Sequence, residues 1–381
     1  MSKPLSGARP VETKQARLFF IDNLRIALAS LVVLHHAAMM YQNSIGFNIN
    51  EPPDSELTSL RLIVLLIFNQ AFFMGLFFFV SGYFTPGSFD RKGAGPFMKN
   101  KLITLGIPFL LYMFVLSPIS WLPDALSSQG AVFTWERYFS MVQPGPLWFA
   151  LLLLIFNFGY LLWRKAARHF AEKPSRSNSN PLKIQAVCLF VSALAAFSYL
   201  FRIDMTVYTT FLFFPCFGYF PQYVSFFILG ILASRRDWLL TLSDKLGMIG
   251  FAAAVASVFT LFPAAYGNIL SPSVFYDGGG TWQSGIFALW DSTFAVGMCL
   301  ALITFFRRFF NQQSDFGKFL SKHTFAVYVF HLPIVVYLAV LVRYTQLPHL
   351  LRLSLTAVLS LPVCFAFAYL IRKMPYADRI L

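Results

Sequence analysis

The chain has 381 residues, of which 57% are hydrophobic and 18% aromatic but only 12% charged. A soluble domain has about twice that share of charged residues, so the composition excludes a soluble globular protein and favours an integral membrane protein. The net charge of +14 could indicate a nucleic-acid-binding protein. The lysines and arginines, however, fall in short clusters between apolar segments, which is typical of cytoplasmic loops and argues against nucleic acid as a partner.

The cysteines and the N-terminal residues indicate neither a metal site nor a cleaved leader. All four cysteines lie in apolar segments without metal-ligand spacing, which is typical of small buried hydrophobic residues; they are Cys188, Cys216, Cys299 and Cys364. The first apolar run starts near Phe19, after a basic tail that contains proline. We interpret this run as a retained first span and not as a signal peptide.

Ten stretches of the sequence are apolar over the ~20 residues that a membrane-spanning helix needs. The sequence therefore predicts an all-α polytopic membrane protein of about ten helices. The predicted spans are residues 20–41, 60–84, 102–121, 146–163, 184–202, 209–233, 247–265, 285–306, 323–342 and 351–371. Pro215 and Pro221 interrupt the sixth stretch, which is either a continuous span or a re-entrant piece followed by a shorter helix.

The distribution of basic residues predicts the orientation. If the N-terminus is inside, 24 of the 30 lysines and arginines fall in cytoplasmic segments. Five fall in outer segments or at helix edges, namely Arg61, Arg137, Arg202, Arg343 and Arg352. This excess predicts that both termini are cytoplasmic. The predicted divisions are a basic tail (1–19), a transmembrane domain (20–371) with a flexible cytoplasmic linker near 164–183, and a tail (372–381).

The first predicted span carries ionisable residues near both ends. Asp22 and Arg25 lie three residues apart and can form an ion pair at the cytoplasmic edge. His36 follows Arg25 by eleven residues, so both side chains point the same way, ~16 Å apart along the axis. His35 points about 100° away and is interpreted as a packing residue. A lone buried histidine is more often a core residue than a catalyst, so His36 needs support from other residues.

Two further ionisable residues lie inside later spans. Asp291 falls in the outer half of the eighth span, and His331 falls in the ninth. An ionisable side chain within the bilayer is costly, so each one is a candidate functional residue. Two histidines and a carboxylate can form a polar pocket that relays protons. They can equally line an ion pathway, and their spacing does not distinguish a proton-relaying pocket from such a pathway.

Four other residues carry weaker signals. Ser81, followed by Gly82, allows close helix packing near the end of the second span. Lys99 and Lys101 begin the third span, either as ordinary flanking cations or as ligands for phosphates. Trp148 opens the fourth span, where an interfacial aromatic residue is the simplest interpretation.

Taken in order, these residues make the sequence similar to the membrane acyltransferase-3 family, which includes O-antigen O-acetylases and the succinyltransferase of osmoregulated glucans. The family's opening signature of arginine, ten residues and histidine matches Arg25 and His36. Further elements match over nearly the whole chain: Phe-Phe-x-x-Ser-Gly with shifted spacing at Phe78 to Gly82, Leu147-Trp148-Phe149, Trp290-Asp291 before Val296-Gly297, and Tyr328-x-x-His331.

One element departs from the family pattern. The family often has Arg-x-x-Arg before the Ile-Pro of the third helix. Here Lys101 stands for the first arginine and Thr104 for the second, ahead of Ile107-Pro108. This departure bears on the cytoplasmic donor site and on the identity of the donor. No outer loop is long enough for a second catalytic domain, so the expected enzyme is a stand-alone transferase without a fused esterase-like domain.

The resemblance implies a multi-pass enzyme of the bacterial inner membrane. It would transfer an acyl group, with acetyl as the expected one, from cytoplasmic acyl-CoA to a hydroxyl of a cell-envelope carbohydrate or lipid-linked glycan, without a metal. The alternatives left open are a proton-coupled secondary transporter of a small organic anion and a non-catalytic membrane scaffold.

Within this interpretation the residues have separate roles. We expect Arg25 with the adjacent Asp22, together with Lys99 and Lys101, to hold the nucleotide end of the donor. We expect His36 to act as the general base on the acceptor hydroxyl, with a covalent acyl-histidine as the alternative. The remaining expected site residues would orient groups, relay protons or stabilise the oxyanion: His331, Asp291, Trp148 and Ser81.

Overall fold

The computed structural model describes residues 17–42, 53–127, 134–167, 181–266 and 278–381. These ranges are helical and contain no β-strand, only an isolated bridge between Phe211 and Phe214. Ten helices are long and apolar enough to cross a membrane, so the predicted all-α polytopic fold is confirmed. Most of the predicted linker and of the N-terminal tail lies outside the described residues.

The ten membrane-spanning helices are numbered in chain order. They are α1 (Phe19–Met40), α2 (Glu56–Lys92), α3 (Ala94–Pro123), α4 (Gly145–Ala166), α5 (Ile184–Phe201), α6 (Phe217–Arg235), α7 (Asp244–Tyr266), α8 (Trp282–Phe309), α9 (Asp315–Arg343) and α10 (His349–Arg372). Helices α2, α8 and α9 are the most buried, whereas α5, α7 and α10 present most of their surface outward. Helix α1 packs against α2, α8, α9 and α10, so it contributes to the core of the bundle.

Contacts at helix ends define one face of the bundle, which we call the terminal face. Arg17, just before α1, donates a hydrogen bond to Ser321 near the start of α9 (3.4 Å). Asn23 of α1 donates to the carbonyls of Phe310 (2.7 Å) and Gln312 (2.9 Å) in the connection between α8 and α9. The beginning of α1, the end of α8 and the beginning of α9 therefore meet at this face.

A second set of charged contacts, between other helices of the bundle, also lies at the terminal face. Asp90 at the end of α2 pairs with Arg235 at the end of α6 (2.6 Å) and with Arg164 at the end of α4 (3.2 Å). Arg235 also donates to the hydroxyl of Tyr160 (3.2 Å). A single carboxylate thus joins the ends of three helices, which the sequence reasoning did not anticipate.

Helix α3 is irregular because of its prolines. Two π-helical turns interrupt it, at Leu102–Gly106 and Tyr112–Leu116. Each ends two residues before a proline, Pro108 or Pro118. Proline has no N–H to donate to the carbonyl four residues earlier, and the helix widens there. The carbonyl of Phe114, which Pro118 leaves free, accepts a hydrogen bond from the Tyr138 hydroxyl (2.6 Å).

The sixth predicted span is corrected in its first half. Residues 202–216 form turns, and α6 begins only at Phe217. Leu212 and Cys216 adopt positive φ angles of 53° and 51°, which no helix of L-residues tolerates. Of the two alternatives for this stretch, a continuous span is wrong, and a non-helical piece followed by a shorter helix is what forms.

Candidate active site

Helices α1 and α9 bring two histidines together inside the bundle. Nε2 of His331 lies 3.3 Å from Nδ1 of His36, and the ring centroids are 4.8 Å apart in an edge-to-face arrangement. They are 295 residues apart in sequence, so only the packing of α1 on α9 explains the contact.

Backbone carbonyls orient both rings. Nδ1 of His36 lies 2.9 Å from the carbonyl oxygen of Val32, and Nδ1 of His331 lies 2.7 Å from that of Tyr328. A carbonyl oxygen can only accept, so each neutral ring carries its hydrogen on Nδ1 and a lone pair on Nε2. The Nδ1–H of His36 is then shared between Val32 and Nε2 of His331. Among the described residues, no group forms a hydrogen bond with Nε2 of His36.

The two histidines differ in accessibility. His331 is fully buried, with 0% of its surface exposed, whereas His36 is partly exposed. His36 is therefore the more accessible of the two rings, and His331 lies behind it. His35 is buried against Phe73, with ring centroids 5.1 Å apart, which agrees with its interpretation as a packing residue.

Tyr328 connects the histidine pair to the start of α4. Its ring stacks on His331 with centroids 5.9 Å apart, and its hydroxyl donates a hydrogen bond to the carbonyl of Pro146. Pro146 belongs to a tight turn that Gly145 opens with a φ of 44°. The ring of Tyr112 occupies the place where a side chain at position 145 would lie, so this turn requires glycine.

Trp148 follows that turn directly and lies inside the bundle. Only 9% of its surface is exposed. Its ring lies 5.4 Å from that of Tyr223 and 6.4 Å from that of Phe78, centroid to centroid. The neighbouring Phe149 contacts the ring of Tyr328 (5.9 Å). Trp148 thus belongs to an aromatic wall beside the histidine pair, and its ring packs inside the bundle.

Asp291 is held elsewhere, so the expected grouping of two histidines with this carboxylate is corrected. Its Oδ2 accepts a hydrogen bond from Nη2 of Arg202 (2.8 Å), and the two side chains are 1% and 0% exposed. Arg202 also donates to the carbonyl of Gly218 (3.0 Å) and lies over the rings of Tyr219 and Phe287. A charge at this depth needs an opposite charge, and Arg202, expected in an outer segment or at a helix edge, supplies it.

The charges at the terminal end of α1 form a looser group. Asp22 pairs closely with Arg17 (2.6 Å) and more distantly with Arg25 (3.9 Å). The expected pair of Asp22 and Arg25 is present, but Arg17 is the nearer partner. The side chain of Arg25 remains 42% exposed, so its guanidinium is accessible. Because α1 is continuous, Arg25 and His36 share one helical face as expected.

Lys99 and Lys101 lie at the start of α3, on the terminal face. Nζ of Lys101 lies 5.7 Å from the ring centroid of Phe97, and Lys99 is exposed. Thr104 donates to the carbonyl of Asn100 (2.9 Å) from within the first π-helical turn. No described contact joins either lysine to Arg25.

Ser81 lies beside a close crossing of α2 and α6. A side chain at Gly82 would collide with the carbonyl of Phe227, and one at Gly230 would collide with the carbonyl of Phe79. The prediction of close helix packing at this pair is confirmed. Ser81 has no described contact with the histidine pair.

Three features were missed by sequence reasoning, two at the histidine pair and one at Asp291. The hydroxyl contact of Tyr328 could have been suspected, since this tyrosine is part of the Tyr-x-x-His element. The carbonyl of Val32 gave no signal, because every helical residue has one. Arg202 could have been found by asking which cation neutralises Asp291. Within the described residues, no group of three or more histidine, cysteine, aspartate or glutamate side chains could hold a metal ion.

Comparisons with known proteins agree with this architecture. The family model of the acyltransferase-3 domain matches residues 18–371. The chain is 25% identical over 338 residues to glucans biosynthesis protein C of Escherichia coli O1:K1, covering 84% of this chain and 83% of the relative. It is 24% identical, with the same coverage, to the proteins of that name from Escherichia coli K12 and Shigella dysenteriae serotype 1. No solved structure gives a significant match.

The family model covers all ten membrane-spanning helices, except for the last residue of α10. It also includes both site histidines and the aromatic wall. The chain therefore belongs to the acyltransferase-3 family and is a membrane acyltransferase.

Proposed function

We propose that this enzyme transfers an acyl group, with acetyl as the first candidate, from acyl-CoA to a hydroxyl of a cell-envelope carbohydrate. The observation that carries the proposal is the oriented histidine pair, in which Nδ1 of His36 faces the carbonyl of Val32 and Nε2 lacks a described partner. Family membership supports acyl transfer over transport. The name of the similar proteins, glucans biosynthesis protein C, supports a carbohydrate acceptor.

The proposed chemistry is general-base catalysis by His36. The acceptor hydroxyl donates its proton to Nε2 of His36 while its oxygen bonds to the thioester carbonyl carbon. The carbon–sulfur bond then breaks, and the leaving sulfur takes the proton from Nε2. While His36 is charged, its Nδ1–H donates to the carbonyl of Val32 and to Nε2 of His331, which stabilises the imidazolium.

The two substrates would reach this site from opposite faces. The excess of lysine and arginine supports a cytoplasmic position for the terminal face, on the side where acyl-CoA is found. Exposed Arg25, with Lys99 and Lys101, would take the phosphates of the donor, and the thioester arm would extend ~16 Å along α1 to His36. The acceptor would enter from the outer face of the inner membrane, beside Trp148.

The test follows labelled acetyl groups from acetyl-CoA into glucan in membranes that contain the chain. We expect His36→Ala to lower the transfer rate by roughly 10²- to 10⁴-fold, the usual contribution of a general base. His35→Leu is the matched control on the adjacent helical face. Nδ1 of His35 has no hydrogen-bond partner among the described residues, so we expect this variant to keep most of the activity.

Two outcomes would contradict parts of the proposal. Full transfer by His36→Ala would exclude His36 as the base. If the native chain transfers no acetyl group but does transfer succinyl from succinyl-CoA, the choice of acetyl is wrong and the site chemistry stands.

A further inference from the structure

A basic cavity opens at the terminal face between the beginning of α9 and the end of α10. Its volume is ≈370 Å³. Four cations and two aromatic rings line most of it: Lys318, Lys322, Arg372, Lys373, Phe319 and Tyr369. None of these residues belongs to the site proposed for acyl transfer.

The cavity has an excess of positive charge. Its one lining carboxylate, Asp315, lies 2.9 Å from Lys318 but is almost fully exposed. Nζ of Lys373 lies over the ring of Tyr369 at 4.3 Å from the centroid. Nε of Arg372 is buried and has no hydrogen-bond partner among the described residues. This guanidinium nitrogen can therefore donate a hydrogen bond to a bound anion.

The cavity is separate from the histidine pair. Its lining residues on α9, at positions 318, 319, 322 and 323, form one stripe along the helix. Ser321 points away from that stripe and accepts a hydrogen bond from Arg17, next to α1. The cavity therefore lies on a side of α9 other than the one facing α1, whereas His331 faces His36 on α1.

The chemistry of the lining fits a phosphate group beside a lipid surface. Arginine and lysine together hold phosphate oxygens through charge-assisted hydrogen bonds. Large apolar side chains next to the lining residues are exposed: Phe316 (69%) stacks on Phe319 at 6.4 Å between centroids, and Leu370 (59%) follows Tyr369 in sequence. A soluble nucleotide would gain little from these side chains, whereas the acyl chains of a phospholipid would lie against them.

We propose that this cavity binds the phosphate of an anionic phospholipid from the leaflet at the terminal face. The lipid would join the beginning of α9 to the end of α10. This inference needs neither the proposed acyl donor nor the proposed acceptor. Its failure would leave the proposed function unchanged.

The test measures lipid binding by the purified full-length chain in neutral detergent. Phosphatidylglycerol or phosphatidylcholine is added, and the melting temperature and lipid adducts in native mass spectrometry are recorded. We expect a higher melting temperature and bound lipid with phosphatidylglycerol only. The double variant Lys318→Gln with Arg372→Gln lacks two cations and should bind phosphatidylglycerol roughly 10- to 30-fold more weakly.

A matched control removes one lysine and one arginine from the same face, outside the cavity. Arg91→Gln with Lys165→Gln serves this purpose, since both side chains are exposed, and this variant should bind like the native chain. If the first variant does not fold, Lys322→Gln with Lys373→Gln replaces it, because these exposed lysines can be changed without disturbing the core.

Two results would overturn the proposal. One is equal binding of phosphatidylglycerol by the native chain and both cavity variants. The other is a melting-temperature increase caused by free CoA, lost in the cavity variants, with none from phosphatidylglycerol. That second result would assign the same phosphate chemistry to a soluble ligand and not to a lipid.

Discussion

The backbone oxygens of Val32 and Tyr328 determine which nitrogen of each site histidine is free to react. Both hold Nδ1 as a donor, and this leaves Nε2 of His331 as an acceptor for His36. In the proposed mechanism His331 is then a positioning residue, which would orient the base and stabilise its charged form. It need not touch either substrate.

This arrangement predicts a specific kinetic effect of His331→Gln. The glutamine cannot reproduce the aromatic acceptor behind His36, so we expect kcat to fall by roughly 10- to 100-fold, less than for loss of the base itself. The KM for acyl-CoA should stay within about threefold, because ground-state binding is unaffected. Steady-state kinetics on membranes checks this. An increase in KM with unchanged kcat would place His331 in donor binding instead.

The buried pair of Arg202 and Asp291 leads to a prediction about stability. Asp291→Ala leaves a buried arginine without its counter-charge, which we expect to destabilise the protein by ~3–5 kcal/mol. The double variant Arg202→Met with Asp291→Leu removes both charges and should recover most of the loss. The yield of monodisperse protein after heating in detergent measures both. If the double variant folds but is inactive, the pair has a role beyond stability.

Individual residues of the site differed in how far the sequence could predict them. His36 and Arg25 share a face because helical geometry fixes the angle between positions eleven apart. Asp291 could not be placed, because the choice of its partner depends on how α5 and α8 pack. The sequence identified Asp291 as a charge within the membrane, whereas its buried partner Arg202 was expected in an outer segment or at a helix edge.

At the level of helices, glycines decide how closely α2 and α6 approach. We expect Gly82→Ala to cost ~1–3 kcal/mol, since its new methyl group would meet a backbone carbonyl that cannot move aside. Gly159→Ala on α4 is the control, because no atom lies within 4 Å of a side chain added there. Thermal unfolding in detergent compares the two. Equal melting temperatures for the two variants would mean that α2 and α6 can move apart at little cost.

The bounds of the helices were less predictable than their number. Helix α2 was expected over 60–84 and runs over Glu56–Lys92, because a helix continues past the hydrocarbon region, where charged residues are tolerated. Pro86 does not end it. The non-helical segment 202–216 was obscured by its apolar composition, which hydropathy cannot distinguish from a span. Hydrophobicity thus predicts which segments are buried in the membrane, and proline and backbone conformation determine their shape.

For the whole molecule, the orientation in the membrane is the main prediction. We expect alkaline phosphatase fused after Leu381 to be inactive and a fusion after Thr345, between α9 and α10, to be active. Alkaline phosphatase folds only outside the cytoplasm, and the charge distribution predicts that the terminal face is inside. A green fluorescent protein fusion at Leu381 should, in contrast, be fluorescent in colonies, because a cytoplasmic C-terminus is expected. The reverse pattern would invert the bundle and the assigned entry sides of both substrates.

The hydrogen bonds of Asn23 also restrict how the enzyme can move. They tie α1 to the connection that leads into α9, and at the opposite end Tyr41 bonds to Thr356 of α10 (2.7 Å). A slip of α1 by one turn, ~5.4 Å, would break both ties and separate the histidines. We therefore expect α1, α9 and α10 to keep their relative positions during turnover. Any rearrangement that admits or releases substrates has to occur in the helices around them.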